Sequence, residues 1–538
     1  MRYFRIGLGL TIVLLGFVSP VWASDLLPAD RPIAEVVDHY IDEALAKASI
    51  APAPPADDAA LIRRLTLDLT GRIPTAVEMR GYVESTDPEK RQRLVDRLMS
   101  APGFVRHQTN ELDALLTAGG KGSLRDYLAK AVGENRPWDR IFREILLPDE
   151  KDPSLKQAGE YLRQRVKDLD RLTYEVSSTF FGVNISCAQC HDHPLVKDWK
   201  QDHFFGMKAF LGRTFENGGF LAEHETGTVK FKTTAGLERV APMMFLTGTR
   251  IKEPDKEPSK EEKKAEKERL EKAKKEKTPP PPPKESARAK LVEVALQPGE
   301  RVFFARSIAN RVWHRLMGRG LVMPLDQMHS ANPPSHPELL DWLARDVAEH
   351  GYDLRRLIRG VVLSRAYARS SRWEGKDAPA TSLFAVAAVR SLTPLQLATA
   401  LRVATTDPGR FPADLAPEEF EKRLGSLESS ARGLASSLGS PGDAAIGVSE
   451  ALLFSNSERI ARDFLGEGGD GLVGALKKIN DRGRLVDTAV RNVLSRPPEE
   501  EEARVLSDYL DQRSDRPDDA IRQLVWALLT CSEFRFNH

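Results

Sequence analysis

The stretch "SHPELLDWLARDVAEHG", residues 335–351, shows most clearly how this chain folds. Its apolar residues recur at the spacing that places them on one face of an α-helix. These residues are Leu339, Leu340, Leu343 and Val347. Ser335 and Glu338 have the spacing of an N-terminal capping box, and Gly351 suits the end of a helix. The stretch therefore predicts an amphipathic helix that buries one face.

Other segments show the same signals. A second capping box is predicted from Thr393 to Gln396, with Pro394 at the first helical position. Asp353 precedes a further helical pattern, and residues 89–100 carry an apolar stripe. The stripe consists of Leu94, Val95, Leu98 and Met99. These patterns indicate a mainly α protein.

Two segments between the helical parts differ in character. Residues 217–250 include alternating, β-branched stretches that predict a small β-ribbon. Residues 252–284 are dense in lysine and glutamate and end in five consecutive prolines. Such a composition cannot bury a core, so it predicts a solvated linker, partly helical at most, with a stiff proline end.

We therefore predict two helical domains with a small β-ribbon insertion and a charged, proline-rich linker. The expected units are a signal peptide (1–23), a first helical domain with the cysteine motif (31–215), a β-ribbon extension (216–250), a charged and proline-rich disordered linker (251–286) and a C-terminal helical partner domain (287–538).

The N-terminus predicts export. A basic segment, an apolar run and small residues precede a cleavage position expected after Ala23, which is the pattern of a secretory signal peptide. The run is shorter than the about 20 residues that span a bilayer. No later segment is apolar enough, so we expect no membrane span after cleavage. The net charge of +1 argues against a dedicated nucleic-acid-binding protein.

The candidate site is the motif C-x-x-C-H, formed by Cys187, Cys190 and His191. In this pattern each thiol can add to a haem vinyl group while the histidine becomes an iron ligand. Two cysteines three residues apart on one helical turn project in the same direction. The preceding apolar stripe places the motif at the end of an amphipathic helix. We therefore predict covalently bound haem c with His191 as the proximal ligand.

The distal side of such a haem is less defined by the sequence. His193 lies two residues beyond His191, and two extended residues reach only about 7 Å, too short to pass around the porphyrin rim. His193 and Asp192 are therefore expected to support the site rather than to bind iron from the opposite face. His203 and Met207 are the reachable distal candidates, and a five-coordinate iron is equally open.

Zinc is the main alternative to haem. Cys187, Cys190 and His203 match the first three ligands of a zinc finger, but residues 207–209 supply no fourth histidine. His191 or His193 can still complete the set. A redox-active thiol pair and a plain structural disulfide are weaker alternatives.

Several long motifs resemble the exported planctomycete cytochrome C-like domain and its C-terminal partner domain. The first resemblance rests on "FFGVNISCAQCHDHPLVKDWKQDHFFGMKAFL" and on residues 51–79, and the second on residues 300–322, 333–371 and 526–538. The resemblance implies that Cys187, Cys190 and His191 occupy haem-binding positions. One departure is "HQTNELDALL", which starts at His107, where the family has an aromatic, acidic segment.

No hydrolase or nucleotide-binding motif is present in the sequence, so an enzymatic activity is left open. Polar and aromatic residues of the second half suit either a cleft or the capping of helices. They are Arg311, Trp313, His314, Ser335 and His336. The expected function is an exported, periplasmic or cell-surface redox protein that exchanges electrons with an unidentified protein. The alternatives are a metal-binding or structural protein and an accessory to extracellular polymer degradation.

Overall fold

The computed structural model describes residues 26–117, 122–252, 259–438, 458–466, 468 and 470–538 of the chain. It confirms a mainly α protein with small two-stranded sheets. The predicted signal peptide, residues 1–23, lies outside the described residues. Within them, no helix combines the length and the apolar character that crossing a membrane requires.

The helices fall into three groups along the chain. The first group comprises α1 (Ile33–Ala48), α2 (Asp58–Thr70), α3 (Ala76–Val83), α4 (Lys90–Ser100), α5 (Pro102–Thr117), α6 (Arg125–Gly133), α7 (Trp138–Leu146), α8 (Pro153–Lys156), α9 (Glu160–Arg163), α10 (Leu169–Phe181) and α11 (Gln201–Leu211). The second comprises α12 (Lys260–Glu276), α13 (Ala287–Leu296), α14 (Val302–Met317), α15 (Pro337–Glu349) and α16 (Leu354–Val362). The third comprises α17 (Pro394–Ala404), α18 (Pro417–Ala435), α19 (Glu458–Leu465), α20 (Leu472–Leu476), α21 (Arg482–Leu494), α22 (Glu500–Gln512), α23 (Pro517–Thr530) and α24 (Ser532–Arg535).

Short antiparallel hairpins separate the first two groups, where the β-ribbon was predicted. Their strands are β1 (Thr214–Asn217) with β2 (Phe220–Glu223), β3 (Val229–Lys232) with β4 (Glu238–Ala241), and β5 (Met243–Met244) with β6 (Arg250–Ile251). A fourth pair joins β7 (Arg390–Ser391) to β8 (Phe536–Asn537). The last pair ties the end of the chain back to the start of the third group.

The charged segment differs from the predicted disordered linker, because α12 covers Lys260–Glu276. Its N-terminus has a full capping box between Ser259 and Glu262. The Asn217 side-chain amide donates to the Leu270 carbonyl oxygen at 3.0 Å, and Glu225 pairs with Arg269 at 2.8 Å. The helix therefore gains from its cap and from polar contacts with the β1–β2 hairpin, which composition does not reveal.

The hydrophobic packing also divides the chain differently from the predicted domains. One core runs from Ile33 to Ala385 and combines α1–α11, the hairpins and α13–α16. A second core is built from residues 392–534 together with Leu67 and Ile73. An apolar stripe shows which face of a helix is buried, whereas only the fold shows which partner covers it. The two hydrophobic cores therefore meet near residue 390.

A buried polar cluster joins these parts, and we call it the Asp68 hub. Arg390 donates two hydrogen bonds to the Asp68 carboxylate at 2.9 and 2.7 Å. The Tyr367 hydroxyl donates at 2.7 Å and the Asn537 amide at 2.9 Å. Burial, followed by the negative charge of Asp68, raises the pKa of Tyr367, so the hydroxyl keeps its proton. The hub thus connects α2, the loop after α16, β7 and β8.

Two buried arginines of α2 hold the C-terminus next to the hub. Arg63 donates to the Phe534 carbonyl oxygen at 2.8 Å, and Arg64 donates to the His538 carbonyl oxygen at 3.2 Å. Arg64 also reaches the Tyr367 carbonyl oxygen at 2.5 Å. These guanidinium groups satisfy carbonyls that helix ends and loops would otherwise leave unpaired.

The predicted capping boxes have different outcomes. The box from Thr393 to Gln396 is confirmed, with reciprocal backbone hydrogen bonds. The box at Ser335 is wrong, because α15 starts at Pro337 and its N-cap is His336, whose side chain makes no capping bond. Proline favours the first helical position, and this preference sets the start one residue later than the Ser-x-x-Glu spacing.

Candidate functional site

The cysteine motif forms a single tight turn on the surface. Cys187 lies in a 3-10 turn over Ser186–Gln189, and Cys190 is the residue that ends it. Both cysteines are exposed and free of disulfide bonds. Side chains three residues apart eclipse each other in a 3-10 helix. The two thiols therefore project from the same side of the turn into solvent.

The turn is separate from the preceding helix, which corrects the prediction that the motif ends that helix. The helix α10 stops at Phe181, and Gly182 adopts a left-handed conformation with φ 67°. A Cβ atom at this position would lie 2.9 Å from the Met328 sulfur. Glycine therefore ends α10 where a loop of the second helical group approaches closely.

Backbone pairing with that loop fixes the approach to the motif. The Met328 amide donates to the Gly182 carbonyl oxygen at 3.0 Å, and the Asn184 amide donates to the Asp326 carbonyl oxygen at 2.7 Å. Beyond this point the loop has buried apolar anchors. They are Ile185, Ala188, Val196 and Trp199. The exposed motif thus rests on a well-packed base.

His191 is exposed, and its ring has a defined hydrogen bond. Its Nδ1 lies 2.7 Å from the Asp192 carbonyl oxygen. A carbonyl oxygen can only accept, so Nδ1 carries the proton and Nε2 of the neutral ring has a free lone pair. Histidines that bind metals through Nε2 commonly donate Nδ1–H to a carbonyl in this way.

Asp192 and His193 organise the loop. The Asp192 carboxylate accepts from the Gln201 amide at 2.9 Å, where α11 begins. His193 Nδ1 accepts from the backbone amides of Leu195 and Val196 at 3.3 and 3.1 Å. With Nδ1 accepting, a neutral His193 ring carries its proton on Nε2, the reverse of His191. That both residues support a bound haem stays a prediction.

The two distal candidates lie in different surroundings. His203 is half-buried beside Trp199, with ring centroids 5.6 Å apart, and its Nδ1 accepts from the Lys200 amide at 3.2 Å. Burial lowers the pKa of His203. Met207 is fully buried in the main core, with 0% exposure. The Met207 sulfur is thus enclosed, whereas the His203 side chain is partly accessible.

A histidine that the sequence analysis missed lies beside the motif loop. His329 is half-buried, and its Nδ1 has no hydrogen-bond partner among the described residues. Burial, with the nearby His193, lowers its pKa, while Asp198 opposes the shift. Asp198 accepts from the Ser330 amide and hydroxyl, each at 2.7 Å. No sequence spacing links residues 198 and 330, so only the fold brings His329 here.

No compact metal site is preassembled around the motif. Within the described part of the chain, no group of three or more His, Cys, Asp or Glu side chains converges in a way that would hold a metal ion. A zinc site needs four ligands on one centre. Haem attachment has no such requirement, because the thioether bonds form at the edge of the macrocycle and the histidine binds at its centre.

The other residues that the sequence analysis named lie either in the buried core or along a cleft. Trp313 and His336 are buried and contact Phe384, with ring centroids 5.2 and 5.6 Å apart. Burial lowers the pKa of His336 to about 4. Arg311 and His314 instead line an internal cleft, as does His107 from α5. Burial lowers the pKa of His107, so its ring is neutral at neutral pH.

Comparisons with known proteins identify domains and not activities. Residues 36–216 match a family model described as a protein of unknown function (DUF1549), and residues 287–414 match a second, also described as a protein of unknown function (DUF1553). Neither curated proteins nor solved structures gave a match. The two-domain arrangement is thereby confirmed, while the cytochrome resemblance stays a prediction. The chain thus contains two regions similar to domain families of unknown function, DUF1549 followed by DUF1553.

Proposed function

We propose that the protein binds haem c covalently through Cys187 and Cys190, with His191 as the proximal iron ligand, and acts as an exported electron-transfer protein. Haem c, when bound, supplies one-electron transfer. The observation that carries the proposal is the 2.7 Å contact between His191 Nδ1 and the Asp192 carbonyl oxygen. It leaves the Nε2 lone pair of His191 available for iron.

The state of the two cysteines supports the same proposal. Both thiols are free, exposed and on one side of a single turn. Haem attachment requires thiols that a planar reactant can approach from solvent, whereas a structural disulfide would already have consumed them. The buried Ala188 within the turn and the buried Val196 after it hold the turn in place, while both cysteines remain exposed.

Export is part of the proposal. In bacteria, haem attachment of this type takes place after export, and the N-terminal residues have the pattern of a signal peptide. We therefore place the protein in the periplasm or on the cell surface. Its partner would be another redox protein.

The sixth iron position has three candidates in this chain. His203 is held by the Lys200 amide, and Met207 is enclosed in the core. His329 is the third candidate, because its Nδ1 is not engaged by any described residue and its interaction with His193 places it near the motif loop. A change of the absorption spectrum in His329→Ala, but not in His203→Ala, would identify it.

The direct test is expression with its signal peptide in a host that attaches haem to exported proteins. We expect a Soret band, a haem-stained band on a denaturing gel and a mass increase of one haem. Cys187→Ala and Cys190→Ala should each lose one thioether, and the double variant should lose haem on the gel. Cys531→Ala is the matched control, because this half-buried thiol lies outside the motif.

The same purified protein distinguishes zinc binding from haem binding. Colourless protein that contains one equivalent of zinc, lost in the Cys187→Ala variant, would contradict the haem proposal and support a metal knuckle. Colourless protein with neither metal nor haem would leave a structural or binding role for the turn.

A further inference from the structure

A second site emerges from an internal cleft of about 460 Å³, independent of the cysteine motif. It lies where α5, α14 and α16 meet the segment from Arg390 to Gln396, next to the boundary between the two hydrophobic cores. Ligand pockets in proteins have volumes of roughly 300–1,000 Å³ and occur preferentially at such boundaries. The position and size of the cleft therefore suit a small molecule.

The walls of the cleft are mostly apolar. Six of the lining side chains are Phe104, Leu112, Ile141, Ile308, Val312 and Leu325. A second cleft of about 440 Å³ adjoins the first, because both are lined by His107, Glu111 and Ala114. Ala114 is exposed, so it marks a mouth through which a ligand can enter. An apolar body would gain free energy by leaving water for these walls.

The polar groups in the cleft are dominated by unneutralised cations. Arg311, Arg315 and Arg355 all line it, and none has a carboxylate within ion-pair distance among the described residues. Arg311 and Arg355 donate to backbone carbonyl oxygens, which carry no net charge. Of the two lining carboxylates, Asp68 is already paired with Arg390, which leaves Glu111.

Arg315 is the most informative of these side chains. Its Nε and Nη2 atoms are buried, and neither has a hydrogen-bond acceptor in the described part of the chain. These two N–H groups form the side-on edge of the guanidinium, whose spacing matches the two oxygens of a carboxylate. A buried charged donor without an acceptor is costly, so such a group calls for a partner that the chain does not provide.

The histidines that line the cleft do not provide a positive charge for an anion. Burial lowers the pKa of His107, and burial together with Arg311 and Arg390 lowers the pKa of His314. Both rings are therefore neutral at neutral pH and available as hydrogen-bond donors or acceptors. Glu111 lies 4.0 Å from His107 Nδ1, and its charge acts on Arg315 without reaching ion-pair distance, so the Arg315 edge keeps its two free N–H groups.

We propose that this cleft binds a small organic anion, in which a carboxylate pairs with the Nε and Nη2 edge of Arg315 and an apolar body packs against the surrounding helices. The proposal does not depend on haem. It holds equally for protein with and without an attached cofactor.

The test is calorimetric titration of the full-length protein with benzoate, phenylacetate and hexanoate, each compared with its neutral amide. At least one carboxylate should bind at millimolar concentration or below, and its amide should bind at least about tenfold more weakly. Arg315→Gln should weaken the carboxylate by a similar factor. Arg372→Gln removes the same charge from an exposed arginine and should leave binding unchanged.

Ala114→Trp provides a second variant, because the exposed Ala114 tolerates a larger side chain while the indole blocks the mouth. It should abolish binding even if Arg315→Gln fails to fold. Four outcomes would overturn the proposal: no carboxylate binds, amides bind as well as carboxylates, Ala114→Trp binds normally, or inorganic phosphate binds while the organic acids do not. The last outcome would identify a plain anion site.

Discussion

The cysteine turn and the Asp68 hub are two compact sets of polar residues, and they lie in opposite environments. The turn exposes Cys187, Cys190 and His191 to solvent. The hub buries Asp68 with four donated hydrogen bonds from three side chains. An exposed polar group keeps its hydration, whereas a buried one depends entirely on its partners. Residues of the turn can therefore take part in chemistry with little loss of folding free energy. Residues of the hub contribute directly to the stability of the fold.

The largest expected effect tests the hub. Asp68→Ala leaves Arg390 as an uncompensated buried cation and removes the acceptor of Tyr367 and Asn537. Breaking a buried ion pair from one side costs about 3–5 kcal/mol, and we expect the upper end here because three donors lose their acceptor. Urea unfolding followed by circular dichroism measures the loss. A loss below about 1 kcal/mol would contradict the role assigned to the hub.

A second buried ion pair, between Arg72 and Glu78, predicts how the stability of the fold changes at acid pH. Burial alone would raise the pKa of Glu78, but the charge and hydrogen bonds of Arg72 outweigh burial and lower it to about 2. Because the folded pKa lies below the unfolded one, this pair stabilises the protein above pH 4.5 and the contribution is lost as the pH falls towards 2.

Glu78→Gln should therefore destabilise the protein by about 3 kcal/mol at neutral pH and show a flatter stability profile in acid. Denaturant unfolding at several pH values gives both quantities. Glu89→Gln, which changes an exposed glutamate, is the control. A variant whose acid profile parallels the wild type would show that another carboxylate carries the dependence.

His336 predicts a smaller change in the free energy of unfolding, at a pH closer to neutral. Burial lowers its pKa to about 4, while an unfolded histidine titrates near 6.5. The unfolded chain then binds more protons than the folded one, so stability falls as the pH falls through this window. Between pH 7 and 5 we expect a loss of about 2 kcal/mol from this residue. His336→Asn should remove that slope, whereas His39→Asn at an exposed position should keep it.

The smallest expected effect belongs to the cysteine turn. In protein made without haem attachment, Cys187→Ala and Cys190→Ala should change the free energy of unfolding by no more than about 0.5 kcal/mol, because both side chains are exposed. Thermal unfolding monitored by circular dichroism is sufficient. A large destabilisation would mean that the turn has a structural role, which would narrow the difference between the two regions.

Local signals in the sequence were sufficient for much of the helical architecture. The capping box at Thr393, the helix start after Asp353 and the stripe on α4 all appear in the structure, because each depends on residues within a few positions. The wrong prediction at Ser335 also has a local cause, since the neighbouring Pro337 moves the start of α15 by one residue. The extent of α12 was not predicted, because part of its stabilisation comes from contacts with a distant hairpin.

The two candidate sites also differ in whether the local sequence or the tertiary structure reveals them. The spacing of Cys187, Cys190 and His191 is contained in five consecutive residues, so the sequence alone pointed to their chemistry. The proximity of His329 to the motif loop, and of Arg315 to Glu111, depends on chain segments that are far apart. No local pattern records such proximity.

By itself, the sequence determined a mainly helical chain, the location of its β-ribbon and a compact cysteine and histidine turn. These features follow from backbone propensities and side-chain periodicity, which act over one or two helical turns. Only the tertiary structure decided that one core spans both family domains, that Asp68 binds the end of the chain and that five arginines line one cleft. Burial is a property of how helices pack, and the free energy of a buried charge depends on partners that the sequence places far away.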